Sequence, residues 1–184
     1  AKEAVVRTAS GTDLVLNLEG REGLADHGLF TTAGDFGNLP AGEAYIAPVE
    51  GLGQGRLVVP AGWWHGLAED MTLTFEKGLV HKIEGGGQVK ERLLSLLGLK
   101  EGMEPDPARC NLAELGLGTN PFARSVESSL EAEKIKGTIH IAIGDNAHIG
   151  GVVSSDVHFD MIIPNVDLLL DGEKVIGDGE WLIA

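Results

Sequence analysis

Apolar and polar positions alternate along most of this chain, and glycine breaks the alternation at short intervals. Residues 5–8 and 14–18 alternate about the turn Ser10-Gly11-Thr12-Asp13 and predict a hairpin. Residues 71–75 and 79–83 flank Glu76-Lys77-Gly78 and predict a second, with glycine at the left-handed position. Residues 166–170 and 174–176 about Asp171-Gly172 predict a third. Further strands are expected over residues 43–46, 55–59, 137–143 and 157–163. A helical period runs through residues 88–97, where Val89, Leu93, Leu94, Leu96 and Leu97 make an apolar stripe that Gly98 closes. Residues 128–136 predict a short helix ending at Gly137. There is no strand–helix–strand rhythm. The expected class is α+β: one β-rich domain of mixed or antiparallel sheet with a few short helices.

Composition narrows the function more than the fold. A length of 184 residues suits a single domain over residues 1–184 with a sizeable core, and 43% hydrophobic residues argue against disorder. The net charge of −14 repels phosphate backbones, so nucleic acid is excluded as a partner. No run of 18 apolar residues occurs, which excludes a membrane span. Cys110 is the single cysteine, so no internal disulfide forms. With no leader segment, that points to a reducing, cytoplasmic setting. The chain opens at Ala1 without methionine, which reads as a fragment.

Familiar nucleophile and zinc-helix motifs are absent, and Cys110 has no local partner. The glycine-rich residues 51–55 lead into a strand and read as a turn, not a phosphate loop. The informative residues lie later. His140 sits inside the apolar run Gly137-Thr-Ile-His-Ile-Ala-Ile-Gly144 and alone reads as a core histidine. In Asp156-Val-His-Phe-Asp160, His158 and Asp160 are two apart and share one face of a strand. Together these three offer two imidazoles and a carboxylate, a set that suits Zn²⁺, Co²⁺ or Fe²⁺. Glu43 opens a strand after a turn, and Glu114 is the only charge in nine residues. An acid among apolar residues is costly unless it is paired or binds metal. Trp63-Trp64 reads as a loop anchored in the core, and Lys134 and Arg124 read as solvated charges.

Four segments occur in an order that resembles the aminopeptidase T family of metallopeptidases. They are Asn38-Leu-Pro-Ala-Gly-Glu43, Glu114-Leu-Gly-Leu-Gly-Thr-Asn120, Glu133-Lys-Ile-Lys-Gly-Thr-Ile-His140 and His158-Phe-Asp160. The resemblance runs from about Gly11 to the C-terminus and corresponds to the family's C-terminal metal-binding domain, without its N-terminal domain. It implies a homodimeric exopeptidase that acts on peptides through two divalent metals per chain (Zn²⁺, Co²⁺ or Mg²⁺). By position, the ligands would be Glu43, Glu114, His140, His158 and Asp160, with Glu114 also a catalytic base or bridge. A shared metal-bound hydroxide would attack the peptide carbonyl.

One departure matters. Peptidases of the family carry a tyrosine seven residues after the matched histidine, and here that position is Ala147. The neighbouring His148 is the candidate catalytic substitute. The only tyrosine is Tyr45, with nothing in the sequence to place it nearby. The same family resembles 2,5-dihydroxypyridine 5,6-dioxygenases, so a mononuclear Fe(II) ring-cleaving dioxygenase acting on a small aromatic substrate is the alternative. That reading needs only His140, His158 and Asp160. A non-catalytic dimerisation fragment is the third reading.

Overall fold

A computed structural model describes residues 1–183. In chain order the strands are β1 (Glu3–Thr8), β2 (Asp13–Asn17), β3 (Leu24–Asp26), β4 (Glu43–Ile46), β5 (Gln54–Val59), β6 (Met71–Glu76) and β7 (Leu79–Gly85). After helix α1 (Gly87–Leu97) comes β8 (Leu112–Gly118), then the single-turn α2 (Ser129–Ala132). The chain ends with β9 (Ile139–Gly144), β10 (His158–Ile163), β11 (Val166–Leu170), β12 (Glu173–Gly177) and β13 (Glu180–Trp181). Two sheets result, with strand orders β13-β12-β11-β1-β2-β5-β6-β7 and β10-β9-β8-β4-β3.

The expected α+β class is overturned. Helix α1 has 11 residues and α2 has 4, and neither builds a layer, so the fold is β with two attached helices. The mixed-sheet option also fails, because every ladder between these strands is antiparallel. The physical reason is clear around residues 128–136. Instead of extending α2, Lys134 offers its carbonyl to the Asn120 N–H (2.9 Å), and the Lys136 N–H donates to the Asn120 carbonyl (3.1 Å). That segment is sewn to the end of β8 by its own backbone. The one helix of real length buries only Val89, Leu93 and Leu97.

All three expected hairpins form. Lys77-Gly78 and Asp171-Gly172 both carry positive φ at the two central positions, the geometry that matches strand twist. Three strands, β3, β8 and β13, lie outside the expected set. The omission of β8 is the serious one, since it is central in the smaller sheet. Its sequence, Leu-Ala-Glu-Leu-Gly-Leu-Gly, has no β-branched residue and no clean alternation.

The two sheets share one core. The larger contributes Ala4, Val6, Leu14, Leu16, Leu57, Leu73 and Phe75, and the smaller contributes Leu115, Ile139, Ile141, Ile143, Met161 and Ile163. Each side chain of this kind contributes ~1.5–3 kcal/mol on burial. Because alternate residues of a strand face opposite ways, the smaller sheet has a second face that the core does not use. Among the described residues, no helix is long and apolar enough to cross a membrane.

Ile141 is fully buried between Leu115 and Met161 on the neighbouring strands. Ile141→Ala is expected to lower stability by about 2–5 kcal/mol. Urea unfolding would show this as a lower midpoint with an unchanged slope.

Candidate metal centre

The unused face of the smaller sheet carries the chemistry. On β9, Ile139, Ile141 and Ile143 turn to the core, so His140 turns away from it. On β10, Met161 and Ile163 turn inward, which puts His158 and Asp160 on the same outer face as His140. On β4, Glu43 and Tyr45 share one face by the same rule. Glu114 joins them through an irregularity. Leu112 pairs with Ile143, but Glu114 already pairs with Ala142 and Leu115 with Ile141. The extra residue, Ala113, is a bulge that turns Glu114 from the core face to the outer one.

The five expected residues form a continuous line. Glu43 Oε2 lies 3.5 Å from His140 Nε2, and His140 Nε2 lies 3.2 Å from Glu114 Oε1. Glu114 Oε2 lies 3.4 Å from His158 Nε2, which lies 3.5 Å from Asp160 Oδ1. Burial opposes charge on Glu114, but hydrogen bonds from His140 and His158 pull its carboxyl down to about 2. Burial also opposes charge on His140, yet Glu114, Asp160 and Glu43 raise it to about 8. For His158, Asp160, Glu114 and the Asp145 carbonyl overcome burial and raise it to about 11.

Several neighbours were not legible in the sequence. Lys134, expected to be solvated, is fully buried, with Nζ 2.6 Å from Glu43 Oε1 and 3.1 Å from Glu133 Oε2. Asp145 orients two imidazoles at once. Its carbonyl accepts the His158 Nδ1–H at 2.7 Å, and its carboxylate accepts the His148 Nδ1–H at 2.6 Å. His158 is thereby left with Nε2 turned toward Glu114 and Asp160, the tautomer a metal ligand needs. Gly116 is opposite His140, and a Cβ there would lie 1.9 Å from His140 Nε2. Only glycine leaves room for the ring. Glu50 accepts from Asn146 Nδ2 (2.8 Å) and the Val152 N–H (2.9 Å) and pairs with Arg21, bracing the loop that carries His148.

These groups border a chamber of about 540 Å³, with Glu43, Tyr45, Glu114, Glu133, His140, His148, His158 and Asp160 on its wall. Nothing in the sequence placed Tyr45 here, and the fold brings it to this wall. Burial and the Glu43 and Glu114 carboxylates raise its phenol, which stays a hydrogen-bond donor. Phe36 stands at the rim, 95% exposed. Trp64 meets Phe159 edge-on at 6.3 Å, as a core-anchored loop should. Cys110 is buried, which pushes its thiol up to about 11 and removes it as a nucleophile.

The donor set fits a divalent cation. One ligand atom each from Glu114, His158 and Asp160 lies within 4.8 Å of the others. This trio differs from the expected two imidazoles and one carboxylate. His140 stands beside it with Nε2 directed at Glu114 and a buried Nδ1 that has no partner among the described residues.

The family described as NicX, 2,5-dihydroxypyridine 5,6-dioxygenase, matches residues 1–183. The chain belongs to this family. A solved 2,5-dihydroxypyridine dioxygenase from Pseudomonas putida KT2440 superimposes with a TM-score of 0.84 at 22% identity, covering 100% of this chain and 56% of that one. Wild-type AmpT from Thermus thermophilus superimposes with a TM-score of 0.72 at 25% identity, covering 99% of this chain and 50% of that one. The chain therefore spans about half the length of these structures. No curated protein matches it. The aminopeptidase T resemblance is thus borne out in part, and the dioxygenase alternative is the better supported.

Two expectations follow for the dioxygenase-family chain. A metal must displace the proton that His158 carries in the metal-free site, where it is raised to about 11. Cation binding should therefore release protons, and affinity should rise about tenfold per pH unit for each proton displaced between about pH 6 and 8. Calorimetry in buffers of different ionisation enthalpy reads the released protons directly. Gly116→Ala should displace the His140 ring and weaken metal binding by about 10–100-fold with the fold retained. Equilibrium dialysis beside a circular dichroism spectrum checks both halves of that statement.

Proposed function

We propose that this chain carries the metal centre of a mononuclear Fe(II) dioxygenase that opens a dihydroxylated pyridine ring between C5 and C6. The observation that supports this most is the compact Glu114, His158 and Asp160 trio within the matched family. An all-oxygen-and-nitrogen donor set without thiolate suits a ferrous ion. Glu114, His158 and Asp160 would hold it, with His140 aligned on the same carboxylate. The chemistry a ferrous ion supplies there is one-electron transfer between a closed-shell ring and O₂.

The remaining steps belong to the chain's own side chains. His148 donates Nδ1–H to Asp145 and so keeps Nε2 as a proton acceptor, next to His158 with ring centroids 5.1 Å apart. It takes the hydroxyl proton of the substrate as the ring binds. The Tyr45 phenol donates to an oxygen on the ring. Phe36 and Tyr45 give the chamber flat aromatic surfaces suited to a planar substrate. A dinuclear peptidase site is less well supported, because Glu43 Oε1 is already taken by Lys134.

Protein purified without oxygen, loaded with Fe²⁺ and given 2,5-dihydroxypyridine should consume one O₂ per ring opened. A folded, iron-loaded protein that consumes no oxygen but releases amino acids from aminoacyl anilides would overturn this reading in favour of the peptidase. His148→Ala should lower kcat by about 10²–10⁴-fold. Its iron content should be unchanged by mass-spectrometric metal analysis.

A further inference from the structure

Seven side chains in and behind the chamber wall alternate in the sign they carry when ionised: Glu133, Lys134, Glu43, His140, Glu114, His158 and Asp160. At one end of this file the metal trio gathers. At the other end the cation is a lysine.

We propose that the Lys134 ammonium stands in for a second metal ion, binding Glu43 and Glu133 from inside the wall and so holding the centre at one metal per chain. The inference rests on the single-metal reading above. Glu43 and Glu133 both border the chamber, and both direct an oxygen at Lys134 Nζ, at 2.6 and 3.1 Å. The other oxygen of Glu43 faces His140 Nε2 at 3.5 Å, so the carboxylate is spent within the protein. Remove the ammonium, and Glu43 and Glu133 are left with two carboxylate oxygens directed at one vacated point, a pair that suits a hard divalent cation.

The lysine is also fixed in place. Its side chain is 0% exposed, and its carbonyl is tied to the Asn120 N–H at 2.9 Å. Burial opposes its charge, but Glu43 and then Glu133 hold it above its ordinary value, so it remains an ammonium. Glu43 is the nearer partner, at 2.6 Å against 3.1 Å for Glu133. A monovalent charge on a tethered stem cannot bind water or substrate as a metal does. The device therefore removes the second Lewis acid that a two-metal hydrolase uses and leaves one ion facing the chamber.

The test is a metal count on the whole chain. The parent, Lys134→Ala and Lys134→Arg are dialysed to equilibrium against excess Fe²⁺ without oxygen, and again against Co²⁺, and analysed by mass spectrometry. The expected counts are one ion for the parent, two for Lys134→Ala and one for Lys134→Arg. A folded Lys134→Ala that still holds one ion overturns the inference, as does a parent that holds two. If Lys134→Ala does not fold, Glu43→Gln decides. It keeps one ion if Glu43 serves the lysine, and falls to none if Glu43 is a ligand of the metal. Oxygen uptake by the iron-loaded parent is scored separately. A parent with one ion and no uptake sinks the dioxygenase reading and leaves the role of Lys134 standing.

Discussion

A single extra residue in β8 decides whether this sheet has a metal-binding face. Strand side chains alternate with a period of two, so Leu112 and Glu114 would ordinarily point the same way. The bulge at Ala113 breaks that rule and pairs Glu114 with Ala142 in place of Ile141. Leu115 then falls into the core beside Ile141, and Glu114 falls between His140 and His158. Without the bulge a carboxylate would enter the apolar layer between the sheets, at a cost that few pairings offset. The core and the site are therefore two consequences of one register shift.

Charge is managed along the same face with equal economy. Buried carboxylates are tolerable here because each meets a cation or an imidazole within 3.5 Å. The file ends at Asp160, beside His158. The backbone supports this arrangement as much as the side chains do. Asp145 orients both His158 and His148, and Glu50 braces the loop between them. Gly116 contributes only an absence of atoms, yet the His140 ring depends on it.

The same fold underlies an oxygenase and an aminopeptidase among the solved structures, so the architecture alone does not choose the reaction. The side chains at the chamber wall and just behind it carry that choice. Ala147 in place of the peptidase tyrosine, Lys134 against Glu43, and the Asp145–His148 pair all bear on the same question. Each concerns how many cations the site holds and where a proton goes.

Much of the local structure was legible in the residues. The hairpins at Lys77-Gly78 and Asp171-Gly172 and the helix closed by Gly98 rest on short-range rules of turn geometry and periodicity. The pair His158 and Asp160 was legible for the same reason, since two residues on one strand share a face. What lay beyond the sequence were the relations between strands far apart in the chain. The class changed from α+β to β because residues 128–136 found backbone partners in Asn120. Tyr45 reached the chamber, and Lys134 left solvent, only through the pairing of β4 with β8 and the docking of that segment. Periodicity determines which residues share a face, but register and sheet order determine which faces meet. Those depend on contacts between residues far apart in the chain, 91 apart for Lys134 and Glu43, which no local pattern encodes.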